Sequence, residues 1–229
     1  MNTKEKLREY GFDMDAYEKA KDYDRDNLII KVVGSIISFG ALAGFAFLGT
    51  KPFFEFLRKF LKNRWLVRTI YILAFSLGFF LLDLPTGWLS YRIEHRYELS
   101  NQDLAGWFGD RLKGLGISLV LSLVGFLLLF WMINNTTNWW IWIWLAATAI
   151  TVFIQFIAPT VLMPLFYDFE PIEEESLKEK LEELAEKVGL EILGVFNMKA
   201  SEKTSKGIGA LTGIGSSRRI ILSDTMIEN

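Results

Sequence analysis

Few side chains in this sequence are equipped for catalysis. There is one histidine, His95, between Glu94 and Arg96, and there is no cysteine. Hydrolysis at zinc on the usual pattern needs two histidines and a carboxylate, commonly H-E-x-x-H on a helix with a distant Glu. One histidine does not supply that set, so the residues predict no zinc site within these 229 positions. Without cysteine there is no disulfide and no thiolate chemistry. No G-x-S-x-G elbow occurs, and a Ser-His-Asp arrangement would rest on His95 alone. Gly207-Ile-Gly-Ala-Leu-Thr-Gly213 imitates G-x-G-x-x-x-G, but it lacks the preceding strand and following helix of a dinucleotide site. His95 reads as a solvated or salt-bridged side chain. Asp83, Glu94 and Asp110 fall near the ends of apolar stretches, where carboxylates anchor at an interface or line a polar cavity.

The elements that would carry these groups are mostly apolar. The chain is 51% hydrophobic, with 8 Trp and 19 Phe. A bilayer crossing needs roughly 20 apolar residues, and four blocks qualify: 28–48, 65–82, 115–133 and 139–158. The predicted class is a multi-pass α-helical membrane protein of about four spans, followed by a partial α+β domain. A net charge of −2 points away from nucleic acid.

Residues 1–27 form a polar segment, with Lys4, Glu5, Lys6, Arg8 and Glu9 at its start. Gly40 and Gly44 form a small-xxx-small pair suited to close helix packing. Residues 49–64 mix Lys51, Arg58, Lys59, Lys62 and Arg64 with Phe53, Phe54, Phe56 and Phe60, an interfacial amphipathic connector. After the second span, Asp83, Pro85 and Gly87 interrupt the apolar pattern. Residues 88–113 read as a charged loop or helix, with Ser100 and Asp103 as a capping box. Trp131, Trp139, Trp140, Trp142 and Trp144 surround the polar turn Asn134–Asn138 as an aromatic belt. A cytoplasmic N-terminus places 18 of the 25 Lys and Arg inside and 6 outside. This favours a cytoplasmic N-terminus and a cytoplasmic C-terminal domain.

From Asp168 the composition changes. Residues 28–167 therefore make a membrane domain, and 168–229 the start of a soluble α+β domain. Glu173 to Val188 is an amphipathic helix with Leu177, Leu181, Leu184 and Val188 on one face. Ser176 and Glu179 fit its capping box, and Gly189 fits its stop. Glu191–Met198, Ala210–Gly213 and Arg219–Ser223 are predicted strands, the last two joined through Ile214–Ser217. Some 60 residues with so few elements make a marginal domain, which leads to the expectation that the fold continues beyond Asn229.

Three blocks give the chain a specific resemblance. They are Leu84-Pro85 with Ile93-Glu94 and Asp110-Arg-Leu-Lys113; Ala158-Pro159, Pro164-Leu-Phe166 and Phe169-Glu-Pro-Ile172; and Ser201 to Thr225, ending Arg218-Arg-Ile-Ile-Leu-Ser-Asp-Thr225. Over about residues 14–229 the chain resembles membrane-embedded zinc metalloproteases of the CAAX prenyl protease type, up to the block before their H-E-x-x-H helix. The resemblance implies a water-filled chamber in the membrane, with zinc where the soluble domain meets it. There a metal-bound water, assisted by the motif Glu, attacks the peptide bonds of membrane-associated or prenylated substrates. It also implies an edge strand that aligns substrate by strand addition. That place falls on Ile208, Gly209, Ala210 and Leu211. The family's Asn-Ala pair is replaced by Ile208-Gly209, and Ile makes no side-chain hydrogen bond. Glu98, Leu99 and Ser100 stand where the family usually has Gly-Phe-Asn. The family's first span has no counterpart here, in keeping with a cytoplasmic N-terminus.

Two readings compete. In the first, the chain is the N-terminal portion of a zinc metalloendopeptidase, inactive by itself, with peptide or protein substrates and the bilayer as partners. Its zinc ligands would then lie beyond residue 229. In the second it is a catalytically inactive relative acting as a membrane binding or scaffold protein. A transporter would call for an internal repeat, and none is visible.

Overall fold

The computed structural model describes residue 11 and residues 13–227. Four helical stretches are long and apolar enough to cross a membrane: Met14–Phe60, Arg64–Arg96, Leu104–Asn135 and Trp139–Leu165. At most 11% of their most apolar windows is buried inside the protein, so these surfaces suit a lipid solvent. Lys4, Glu5, Lys6, Arg8 and Glu9 lie outside the described residues. The chain forms two compact units, residues 1–99 and 100–229.

In the first unit, α1 (Met14–Gly44) runs from the polar segment straight into the first span, and Asp13 caps its start by accepting from the Asp15 N–H. A π-helical turn, Phe45–Gly49, joins it to α2 (Thr50–Phe60). The turn is held from the side: the Thr50 hydroxyl donates to the Phe45 carbonyl at 3.0 Å, and Tyr71 donates to Thr50 Oγ1 at 3.3 Å. The Phe45 ring packs among Phe53, Tyr71 and Phe75. Asn63 then caps α3 (Arg64–Arg96), accepting from the Trp65 and Leu66 N–H groups.

Two expectations need correction here. Pro85 does not break the helix, because α3 continues through it to Arg96. The Thr86 hydroxyl donates to the Asp83 carbonyl at 2.9 Å within the same turn, the kind of local bond that lets apolar helices tolerate Pro. Gly40 and Gly44 make no close helix contact among the described residues, where a Cβ on either would meet nothing within 4 Å. The close approach of α1 to α3 is instead at Gly34, where an added Cβ would lie 3.0 Å from Thr86 Cγ2. Glu98, where the family resemblance implies Gly, takes the left-handed conformation (φ 59°) that Gly adopts without steric cost. Lys19 holds it through a 2.6 Å ion pair.

In the second unit, α4 (Leu104–Asn135) and α5 (Trp139–Ile157) form a hairpin around the Asn134–Asn138 turn. The five belt tryptophans are all exposed. Asp103, not Ser100, caps α4 through the Gly106 N–H at 2.7 Å. Ser100 pairs in a β-bridge with Thr204 instead.

Beyond α5 a four-stranded sheet forms in the order β1-β2-β4-β3. Its strands are β1 (Phe169–Pro171), β2 (Val195–Met198), β3 (Gly209–Thr212) and β4 (Arg219–Ser223). The central pair β2–β4 is parallel and both outer pairs are antiparallel. Met198, Ala200 and Ile221 form the core, with Met163, Tyr167, Phe169 and Ile208 packed against it. Helix α6 (Glu175–Lys187) stops at Gly189, φ 70°. Ser176 is not its cap; the cap is Glu174, to which the Ser176 hydroxyl donates. The short helix α7 (Asp224–Ile227) follows β4 directly.

Candidate functional site

The site builds outward from β4. Its residues alternate, with Arg219, Ile221 and Ser223 buried and Ile220 and Leu222 partly open, as one covered face of a sheet requires. β3 pairs with it antiparallel, Gly209 opposite Leu222 and Leu211 opposite Ile220. Ser223 fixes the start of β3: its N–H donates to the Ile208 carbonyl, and its hydroxyl accepts from the Ile208 N–H, both at 2.8 Å. That hydroxyl also lies 2.8 Å from Thr225 Oγ1, which donates to the Lys206 carbonyl. At the far end Gly213 turns at φ 91°, and Ser217 Oγ accepts from the Ile214 N–H at 3.0 Å.

Position 208 thus bonds position 223 directly. Antiparallel pairs alternate between bonded and non-bonded positions, so Gly209 and Leu211 turn their N–H and C=O groups away from β4. No described strand pairs on that side. Ile208, Gly209, Ala210 and Leu211 are therefore brought together along one open sheet edge. Ile208 points inward onto the Met198–Ala200–Ile221 core. Leu211 is 52% exposed. Gly209 leaves room for Met226, whose sulfur would lie 3.1 Å from an added Cβ.

Two networks tie down the loop before β3. Asp224 Oδ1 accepts from the backbone N–H groups of Ala200, Ser201 and Thr225 at 3.0, 3.0 and 2.8 Å, and Oδ2 accepts from the Ser201 hydroxyl at 2.6 Å. Partial burial pushes the Asp224 carboxyl up, but these four bonds outweigh it and hold it below the usual range. In the second network Lys203 Nζ meets Asp110 Oδ2 at 2.6 Å, and Gln102 donates to the same oxygen at 2.7 Å. Lys113 reaches the Leu165 carbonyl at 3.0 Å. Asp110 is therefore an ion-pair anchor between α4 and the 200–205 loop. Sequence reading did not find Ser223, Asp224 and Thr225 as a unit. The signal was a Ser-Asp-Thr run directly after an apolar strand, a position where short polar side chains bond to backbone.

Arg219 is only 8% exposed, stacked over Phe196 with Nη1 on the Pro159 carbonyl, and burial lowers its pKa. His95 places Nδ1 2.9 Å from the Tyr91 carbonyl of its own helix. Among the described residues no three His, Asp or Glu side chains converge as metal ligands.

Four apolar helices and a small sheet with an open edge define a multi-pass helical membrane protein carrying an α+β segment. The chain belongs to the CAAX prenyl protease N-terminal family, described by five membrane helices and matched over residues 3–168. It is 32% identical over 166 residues to the "uncharacterized metalloprotease YhfN" of Bacillus subtilis, covering 72% of this chain and 39% of that protein. It is 24% identical over 222 residues to the Caenorhabditis elegans CAAX prenyl protease 1 homolog, covering 93% of this chain and 48% of that one. The chain thus spans less than half the length of these relatives. The crystal structure of S. mikatae Ste24p superposes with a TM-score of 0.79 at 21% identity, over 95% of this chain and 53% of that one. That likeness establishes the fold.

Proposed function

We propose that this chain is the N-terminal portion of a membrane-embedded zinc metalloendopeptidase acting on membrane-associated or prenylated substrates. Residues 28–167 supply membrane helices around the chamber, and 168–229 begin the peptidase domain, on the cytoplasmic side with the N-terminus. Ile208, Gly209, Ala210 and Leu211 align the substrate backbone. The observation that supports this reading is the open edge of β3, whose outward N–H and C=O groups at Gly209 and Leu211 suit an added strand. This reading assigns no zinc ligand and no hydrolytic step to the described residues.

The reading is tested by the intact mass and zinc content of the natively expressed protein. A mass well above 26.3 kDa with about one zinc per chain is expected. A mass near 26.3 kDa without zinc would refute it. The edge itself is tested by amide exchange. An extended peptide should slow exchange at 209–211, and the same peptide N-methylated at alternate residues should not.

A second reading, a non-catalytic membrane binding or scaffold protein, draws on Ile208. Where the family resemblance implies Asn, this side chain is seated in the apolar core and offers substrate no hydrogen bond. The same mass and zinc measurement separates the two.

A further inference from the structure

The junction between α2 and α3 carries an unusual charge. Between Thr50 and Arg68 there are six cations, Lys51, Arg58, Lys59, Lys62, Arg64 and Arg68, against one acid, Glu55. Lys51, Arg58, Lys59, Lys62 and Arg64 are all exposed, and none forms an ion pair among the described residues. Helix electrostatics account for part of this. Arg58 and Lys59 sit in the last turn of α2, where a cation complements the dipole. Lys62 and Arg64 do not fit that account. Arg64 opens α3, whose first turn has no acid, and a cation there opposes the positive end of the helix. Lys62, Arg64 and the α3 N-terminus therefore add into one field that calls for an anion.

The surroundings point to the kind of anion. Phe56 and Phe60 are 52% and 72% exposed and pack edge to face at 5.2 Å, one turn apart. Trp65 is exposed as well, with Arg68 5.2 Å over its ring. Leu57 on another side of α2 is buried. One seam of α2 is thus packed on the protein while a second aromatic edge, flanked by cations, is open. The π-turn locked by Thr50 and Tyr71 fixes that orientation. The junction also ends two stretches long enough to span a bilayer, Met14–Phe60 and Arg64–Arg96, which places it at a membrane surface. Exposed aromatics beside cations at that depth favour a phosphate attached to acyl chains over a free one.

We propose that the α2–α3 junction is a binding site for anionic phospholipid headgroups, with Arg58, Lys59, Lys62 and Arg64 on the phosphates and Phe56 and Phe60 among the upper acyl chains. The test is native mass spectrometry of the chain released from nanodiscs of phosphatidylcholine and phosphatidylglycerol, 7:3. The wild type is expected to retain phosphatidylglycerol preferentially, and less of it after assembly in 500 mM than in 50 mM NaCl. Each Lys or Arg near an anionic surface strengthens attraction about fivefold. The variant R58Q/K59Q/K62Q/R64Q should therefore lose the preference by at least about tenfold. F56A/F60A should weaken retention of both lipids. Equal retention by wild type and the quadruple variant would overturn the proposal. If that variant does not fold, a wild-type preference insensitive to salt overturns it instead. Displacement of the lipid by millimolar glycerol phosphate would overturn the lipid assignment in favour of a soluble phosphate.

Discussion

Replacing Asp224 by Ala removes one side chain and four hydrogen bonds. The costliest loss is at Ala200, which is fully buried; its N–H would be left without a partner or water, at about 1–3 kcal/mol. Ser201 and Thr225 are not fully buried, so their three bonds count for about 0.5 kcal/mol or less each after exchange with solvent. The expected local cost is about 2–3 kcal/mol, or roughly 30- to 150-fold faster exchange. The assay is amide hydrogen exchange by mass spectrometry in detergent, followed in peptides covering 195–206. Asp224→Asn keeps an oxygen for the backbone N–H groups and should cost less than about tenfold. The charge adds a pH signature. The folded-state pKa lies below the ordinary carboxylate value, so the stabilisation is complete above about pH 4 and lost as pH falls through the lower folded value. The difference between wild type and Asn should shrink in that acid window. If the Ala variant exchanges within about threefold of wild type, the network does not hold the loop and the reasoning fails.

Other expectations follow from single contacts. Lys203→Met leaves Asp110 half-buried without its 2.6 Å partner and should cost about 1–2 kcal/mol; a double-mutant cycle with Asp110→Asn, read by the same exchange, should recover part of it. Gly213→Ala would drive a Cβ into the Ser217 carbonyl oxygen at φ 91°, so the β3–β4 hairpin should lose more than about 2 kcal/mol, visible as exchange across 209–223. Gly49→Ala brings a Cβ to 2.6 Å from a Phe45 ring already packed on three sides and should lower the thermal midpoint in detergent, at about 1–3 kcal/mol. Glu98→Gly should leave that midpoint nearly unchanged, whereas Glu98→Val, branched in a left-handed position and without the Lys19 ion pair, should lower it.

The four helical blocks were legible because long apolar runs are the strongest sequence signal. Their ends were less so. Pro85 reads as a break by local rules, but the adjacent Thr86 hydroxyl bonds back to Asp83 and the helix continues. Gly40 and Gly44 have the right spacing for close contact, yet spacing cannot say which face meets the neighbour, and Gly34 does. In the sheet, β4 was found at its observed limits, since Arg-Ile-Ile-Leu-Ser alternates on a covered face. β1 was missed: three residues ending in Pro carry little strand signal, and Pro171 is tolerated because β1 lies at an edge. The candidate edge residues came from family resemblance. Their common anchor, Ser223 with Asp224 and Thr225, lies 12 to 17 positions away and becomes visible only when β4 is laid beside β3.

The strand order also has a consequence for how the sheet is made. β3 precedes β4 in the chain, yet its one described neighbour is β4. During synthesis β1 and β2 can pair as soon as Met198 emerges, but β3 then has nothing to pair with. The inner edge of β2 stays open until Arg219–Ser223 leaves the ribosome and inserts in parallel beside it. For that interval the nascent chain exposes an unpaired strand, a state prone to wrong partners. The preceding helices would by then be held in the bilayer, so the exposed strand waits at a membrane surface and not in bulk solution. Assembly of the sheet is thus timed by β4, and slowing translation just before Arg219 would lengthen the interval of greatest risk.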